Sequence, residues 1–127
     1  MCEIEICYHS RAKKYLDKLN KNEKDKIEKL LYDRVKRFIE NKDRRYVIQD
    51  SYFAKLGKYN STIYYVKISN DNRAIISIDE DPIFEQIIIN IFTICRENKL
   101  KVEIKGIMES LYQKMINEEA YGEDEKK

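Results

Sequence analysis

The sequence predicts an α+β domain in which a strand and a helical hairpin precede a run of strands and a last helix. Apolar residues recur with the helical period over residues 10–40 and again over 103–117, while the stretch between them is rich in isoleucine, valine and tyrosine. The 127 residues, 43% of them hydrophobic and 38% charged, suffice for one folded unit with one core. We therefore assign residues 1–117 to a single domain and expect residues 118–127, which are acidic, to form a flexible tail.

The N-terminal part predicts one strand and two helices. Residues 3–8 alternate apolar and polar side chains, as a half-buried strand does. Ser10 is a candidate N-cap for a short helix, and Asn22 for a longer helix that reaches Glu40. The apolar positions of the two helices are Ala12, Tyr15, Leu16, Leu19, Ile27, Leu30, Leu31, Val35 and Phe38. The outer face of this hairpin is polar and mostly cationic.

Three strands and a last helix are predicted after the hairpin. Residues 61–69, 73–79 and 84–95 are β-rich and bounded by turn residues, whereas residues 45–50 are ambiguous. These strands predict an antiparallel meander sheet on which the hairpin packs, followed by an extra C-terminal helix. The apolar stripe of that helix, which includes Ile107 and Leu111, must either pack on the sheet or bind a partner.

Charge is distributed unevenly along the chain. Residues 11–67 contain 17 Lys or Arg and 8 Asp or Glu, a balance of +9, whereas residues 68–127 contain 8 and 13, a balance of −5. Such asymmetry is typical of a protein that binds phosphates with one surface and another partner elsewhere. The alternative is a pair of lysine-rich helices that are simply solvated.

Cysteine and histidine usage argues against metal and disulfide chemistry. Cys2, Cys7 and Cys95 are odd in number, follow no CxxC spacing and have only one histidine for company. We expect reduced thiols, with Cys7 and Cys95 in strands, and no metal or cofactor. The sequence has no apolar run of about eighteen residues and no signal-peptide pattern at its start, which predicts a cytoplasmic protein without a membrane span.

Five stretches together resemble the RelE/ParE superfamily of bacterial and archaeal toxins. They are "ICYHSRAKKYLDKL", "FAKLGKY", "IYYVKIS", "NRAIISID" and "IFTICREN", and the resemblance covers residues 3–99. In that superfamily a short strand and a helical hairpin precede a meander, an arginine begins the third strand, and the fourth strand ends in a basic residue.

The resemblance implies a toxin of a type II toxin-antitoxin system, partnered by a small antitoxin. RelE-like members cleave messenger RNA in the ribosomal decoding site, and this is the function that we predict. The alternatives are a ParE-like inhibitor of DNA gyrase and a non-catalytic member that only binds nucleic acid or protein.

Matching the strands of the superfamily assigns candidate residues for RNA cleavage. Attack of a ribose 2′-OH on the adjacent phosphate needs a base, cations for the phosphorane and an acid for the leaving oxygen. Lys67 takes the position of a candidate base, and Arg73 and Arg96 take positions that bind the scissile phosphate. Lys55 and Lys58 fall near the turn that precedes the strand containing Lys67, as candidate substrate-binding residues. A lysine can act as a base only where neighbouring cations or burial lower its pKa from about 10.4.

Each of these cations also has an ordinary structural interpretation. Arg73 could pair with Asp71, Asp79 or Glu85 across a hairpin, a surface bridge worth about 0–1 kcal/mol. Arg96 could mark an ordinary strand exit, and Lys67 a solvated strand face.

The aromatic residues leave the general acid unassigned. Many nucleases of the superfamily carry a tyrosine or histidine shortly after the last strand, but here that stretch is "ENKLKVEIKG". Tyr64 or Tyr65 could stack on a base from the sheet, although tyrosines in a sheet are more often core residues. The one histidine, His9, is expected to begin a helix and not to act in catalysis.

Overall fold

The computed structural model describes residues 3–56, 59–81 and 83–125. Five strands and three α-helices make up an α+β fold with a mixed sheet. The elements are β1 (Glu3–Tyr8), α1 (Ser10–Asp17), α2 (Lys21–Asn41), β2 (Val47–Leu56), β3 (Tyr59–Lys67), β4 (Asn72–Asp81), β5 (Gln86–Arg96), a 3₁₀ turn (Glu97–Lys99) and α3 (Leu100–Glu125).

The sheet has the order β1-β5-β4-β3-β2. Strands β2 to β5 form the predicted antiparallel meander, but it contains four strands, because the ambiguous stretch after residue 45 continues into β2. The N-terminal strand, whose pairing the sequence left open, joins this meander in parallel, since β1 pairs with β5, and the whole sheet is therefore mixed. The helical hairpin between β1 and β2 carries the chain across one face and leaves the free edge of β5 for β1.

The N-cap of the long helix lies two residues before the predicted N-cap. Asn20 is the N-cap of α2, and its side chain accepts a hydrogen bond from the Glu23 backbone N–H at 2.9 Å and donates one to the Glu23 carboxylate at 2.9 Å. This reciprocal pair satisfies a backbone donor of the first turn and holds the cap in place. Asn22, the predicted cap, lies inside the first turn.

Helices cover both faces of the sheet. On the face that we call the hairpin face, α1 and α2 pack on the strands in a core that includes Leu16, Leu31, Val35, Val66, Ile76 and Ile89. On the opposite face, the α3 face, Ile104 and Ile107 of α3 pack against Ile63 and Ile75. The apolar stripe of the last helix therefore packs within the chain. The helix also continues to Glu125, through most of the residues that we assigned to a tail.

No described helix combines the length and the apolar character that a membrane span requires.

Candidate functional site

The backbones of three predicted site residues come together because their strands end or begin at the same end of the sheet. Strand β3 ends at Lys67 and pairs it with Arg73, the second residue of β4. Strand β5 ends at Arg96, which pairs with Asn72. We call these four residues the strand-end edge. Residues far apart in sequence thus lie on neighbouring strands at one end of the sheet.

The guanidinium of Arg73 is buried and holds the turn between β3 and β4. The residue is 5% exposed, and its Nη1 donates hydrogen bonds to the backbone oxygens of Ser69 at 2.7 Å, Asn72 at 3.0 Å and Asn70 at 3.2 Å. Its Nη2 lies 3.5 Å from a carboxylate oxygen of Glu97, which follows β5. The cation therefore satisfies carbonyl groups of the tight turn, and it would have to leave them to meet a phosphate.

Arg96 differs from Arg73 in being exposed. Because its neighbour Cys95 packs on the α3 face, Arg96 points to the hairpin face, away from the side chains of Lys67 and Arg73. It lines an open cleft of about 750 Å³ together with Tyr15 of α1 and Asn72. Two carboxylates, Asp71 and Glu97, belong to the same lining. Arg96 can thus reach a ligand, in surroundings of mixed charge.

Lys67 is half-buried at the end of β3, with its backbone fixed on both sides. Its N–H donates to the Tyr46 carbonyl at 2.8 Å, and its carbonyl accepts a hydrogen bond from Arg34 of α2. Because directly paired strand residues point to the same side of a sheet, its side chain shares the α3 face with Arg73.

The remaining predicted residues do not form one surface. Tyr64 faces α2, where its ring meets Phe38 edge-on at a centroid distance of 5.4 Å. Tyr65, the next residue along the strand, points to the opposite face and is half-buried. Lys55 lies on β2, paired with Asn60, and Lys58 lies outside the described residues.

Sequence reasoning missed a cation on α2 that contacts the strand-end edge. The Arg34 guanidinium lies 3.8 Å from the centroid of the Tyr46 ring and donates to the Lys67 carbonyl. It belongs to a second cleft, of about 330 Å³, between α2 and the start of β2. The available signal was the helical spacing of basic residues on α2, which recur in successive turns beside the apolar stripe.

A polar network on the α3 face was also not predicted. Asn90 of β5 donates to a carboxylate oxygen of Asp79 at 2.7 Å, and its amide oxygen lies 3.1 Å from His9 Nε2. Because the amide nitrogen faces the carboxylate, the amide oxygen must accept, so that His9 Nε2 carries the proton. His9, and not the predicted Ser10, is the N-cap residue of α1, so that Ser10 is the first residue of the helix. The His9 ring lies 4.9 Å from that of Phe92.

Burial and charge shift several pKa values in this structure. Burial, with Glu28 nearby, raises the pKa of Tyr8 to about 12. Burial, with Glu103 nearby, raises the pKa of Cys95 to about 11. Hydrogen bonds from Arg45 lower the pKa of Asp43 to about 2. None of these groups belongs to the strand-end edge, although the backbone of Cys95 pairs with that of Arg73.

The residues that the structure describes contain no group of three or more His, Cys, Asp or Glu side chains placed to hold a metal ion. The side chains that the strand-end edge offers for chemistry are those of lysine and arginine.

No family model, no curated protein and no solved structure matches this chain. We therefore infer a function from the residues and from the fold.

Proposed function

We propose that the protein is a RelE-like toxin of a type II toxin-antitoxin system that binds messenger RNA at the strand-end edge and cleaves it. The observation that carries the proposal is the position of Lys67, Arg73 and Arg96 at the same end of three neighbouring strands. The side chains of Lys67 and Arg73 lie on the α3 face there and that of Arg96 on the hairpin face, so the proposed RNA passes around the end of the sheet. The order of strand, helical hairpin and meander is the order that the resemblance to the RelE/ParE superfamily implies.

In this proposal the cations divide the chemistry between them. Arg96, which is exposed beside an open cleft, binds the scissile phosphate and stabilises the charge that develops on it. Lys67 is the candidate base for the 2′-OH. Arg73 positions the turn that joins their strands through its three backbone contacts. The general acid is not assigned to any side chain.

The proposed partners follow from this activity. The substrate is messenger RNA on the ribosome, and a cognate antitoxin holds the protein inactive. Since the ribosome and the antitoxin are cytoplasmic, the proposal places the protein in the cytoplasm. The proposed reaction uses no metal or other cofactor.

A second candidate is a member of the same fold that binds its target without cutting it. The observation in its favour is the engagement of Arg73 with three carbonyls and with Glu97, which leaves Arg96 as the exposed arginine of the strand-end edge. Asp71 and Glu97 in the cleft lining also oppose the approach of a phosphate. Inhibition of DNA gyrase, as in ParE-like toxins, belongs to this non-cleaving class.

Inducible expression in a bacterial host tests the proposal. Growth is followed beside primer extension on an abundant message for wild type, Arg96→Ala, Lys67→Ala and the control Lys105→Ala, which removes an exposed charge on α3. We expect arrest and new 5′ ends inside translated codons for wild type and the control, with both effects lost in the two edge variants.

Each alternative has a distinct result in the same experiment. Cleavage that persists in Arg96→Ala and Lys67→Ala would remove the strand-end edge from the active site. Arrest with intact messages and an induced DNA-damage response would identify gyrase as the target. The melting temperature of each purified variant shows whether lost activity reflects lost folding.

A further inference from the structure

A cationic cleft lies on α2, beside the strand-end edge but separate from the cleft at Arg96. We call it the α2 cleft, and its volume is about 330 Å³. Its lining consists of Lys26, Lys29, Leu30, Asp33, Arg34, Arg37 and Tyr46. Four of these seven side chains are cations and one is a carboxylate.

The cations share one side of α2 because of their spacing. Lys26, Lys29 and Leu30, Asp33 and Arg34, and Arg37 follow one another at intervals of three or four residues, which places them on one helical surface. At this spacing the pairs Lys26/Lys29 and Arg34/Arg37 repel, whereas Asp33, four residues from both Lys29 and Arg37, attracts them. Four cations against one carboxylate leave a surplus of three positive charges, which favours binding of an anion.

The cations of the cleft form no ion pairs with carboxylates of the described residues, although the charge of Arg37, after the hydrogen bonds and charge of Arg45, helps to lower the pKa of Asp43. Arg34 is fixed against the Tyr46 ring and the Lys67 carbonyl. The side chains of Lys26, Lys29 and Arg37 make no ion pair with any residue that the structure describes. Three exposed positive charges therefore surround one that is held in place.

Charged side chains outnumber the others in the lining of the cleft. Leu30 and Tyr46 are the apolar side chains of the cleft, and the Tyr46 ring is already in contact with Arg34. A protein partner usually needs a buried aromatic or aliphatic anchor at the centre of its interface. A chain of phosphates needs only cations at regular intervals.

We propose that the α2 cleft binds the phosphate backbone of single-stranded nucleic acid, and that Arg34 joins this contact to the strand-end edge through the Lys67 carbonyl. Under the proposed function, on which the identity of the nucleic acid rests, the ligand is the RNA substrate or the RNA around it. Phosphate contacts position a strand without reading its sequence, so the cleft supplies affinity and not specificity.

Fluorescence anisotropy with a labelled single-stranded RNA of about twelve nucleotides, and with DNA of the same sequence, tests this inference. The variant Lys29→Ala with Arg37→Ala removes two charges from the cleft. The matched control Lys21→Ala with Lys36→Ala removes two charges from α2 elsewhere, since Lys21 is exposed at its start and Lys36 lines a different cleft with Glu3 and Tyr32. We expect the cleft variant to bind both strands about tenfold more weakly. A plot of the logarithm of its association constant against the logarithm of the salt concentration should be shallower by about 1.4. Each phosphate that a cation no longer neutralises reduces the magnitude of this slope by about 0.7.

Three results would overturn the inference. They are unchanged binding by the cleft variant, equal weakening by both double variants, and binding of a poly-glutamate peptide that depends on the cleft while RNA binding does not. The test is independent of the proposed function. Cleavage in cells with unchanged binding by the cleft variant would reject only the α2 cleft, whereas cleft-dependent binding without cleavage would reject only the toxin activity.

Discussion

At the scale of single residues, Arg73 shows how a charged side chain can begin an apolar strand. A buried guanidinium is costly unless its donors are satisfied, and here backbone oxygens of Ser69, Asn70 and Asn72 accept from it. Its ion pair with Glu97 joins the turn to the segment after β5. None of the carboxylates considered from the sequence is its partner, because Glu97 reaches it only through the pairing of β4 with β5.

We predict that Arg73→Ala destabilises the fold by about 2–4 kcal/mol. The reason is the loss of three hydrogen bonds from a charged donor and of the ion pair with Glu97, together with the cavity left by a buried side chain. Urea denaturation followed by circular dichroism measures the change. Arg96→Ala is the control, since Arg96 is exposed and its loss should cost less than about 0.5 kcal/mol. Equal stability of Arg73→Ala and wild type would contradict the role of Arg73 as a clamp of the turn.

This structural role makes Arg73 a poor probe of catalysis. If Arg73→Ala also lost toxicity, the loss could come from a disordered turn, because the turn carries Lys67 on one side and Arg73 on the other. Arg96→Ala and Lys67→Ala are better tests of the chemistry.

At the scale of elements, α3 covers the centre of one face of the sheet and begins beside the strand-end edge. Its residues Ile104 and Ile107 are 2% and 8% exposed and pack against Ile63 and Ile75 in the centre of the α3 face. The helix starts next to the strand-end edge, because only the 3₁₀ turn Glu97–Lys99 separates it from β5. Arg11 of α1 and Glu103 of α3 form an ion pair at 3.0 Å, which ties the first turns of the two helices together.

We predict that Ile104→Ala lowers the free energy of unfolding by about 2–5 kcal/mol. The substitution removes a fully buried side chain and leaves a cavity between α3 and the sheet. Val102→Ala is the matched control on the same helix, because Val102 is 70% exposed and should change stability by less than about 0.5 kcal/mol. Thermal or urea denaturation gives both values. If the two variants were equally stable, α3 would not pack on the sheet in solution.

At the scale of the whole molecule, the cationic balance of residues 11–67 is shared between the hairpin and the segment after it: residues 11–41 contain 11 Lys or Arg and 6 Asp or Glu, and residues 42–67 contain 6 and 2. The α2 cleft uses four of these cations. Other charges of the same segment pair locally, as Arg45 does with Asp43 at 2.8 Å and Lys24 with Asp17 at 3.4 Å. The sequence asymmetry therefore divides into a cationic cleft and ordinary surface ion pairs.

The stability of the whole fold should fall at alkaline pH. Burial raises the pKa of Tyr8 from 10.0 to about 12 and that of Cys95 from 9.0 to about 11. Between about pH 9 and pH 12 the unfolded chain therefore releases these protons while the folded chain still holds them, which favours unfolding as the pH rises. Urea midpoints measured from about pH 8 to pH 11 should decrease more steeply above about pH 9.

The variant Tyr8→Phe isolates the contribution of one group. Since phenylalanine does not ionise, the decrease between about pH 10 and pH 11 should be shallower in this variant than in wild type. The comparison removes effects of lysine deprotonation that both proteins share. Identical pH profiles for the two proteins would show that Tyr8 ionises equally easily when folded and unfolded.

The sequence by itself determined the α+β class, the helical hairpin, three of the four meander strands and the apolar stripe of α3 that requires cover. These features depend on local periodicity, on turn residues and on the need to cover apolar surface, all of which can be read from neighbouring residues. The start of α2 differs from the prediction by only two residues, because Asn20 and Asn22 are equally suitable caps in composition.

Only the tertiary structure decided the parallel pairing of β1 with β5, the clamp formed by Arg73 and the contact of Arg34 with the end of β3. Each joins residues that are distant in sequence, or chooses among several acceptors that are equally near, so no local pattern specifies it. The pairing of β1 with β5 sets His9 beside Asn90. The α2 cleft also depends on tertiary structure. Its cations all come from α2, but Tyr46, which precedes β2, completes its lining only because α2 packs against this part of the chain.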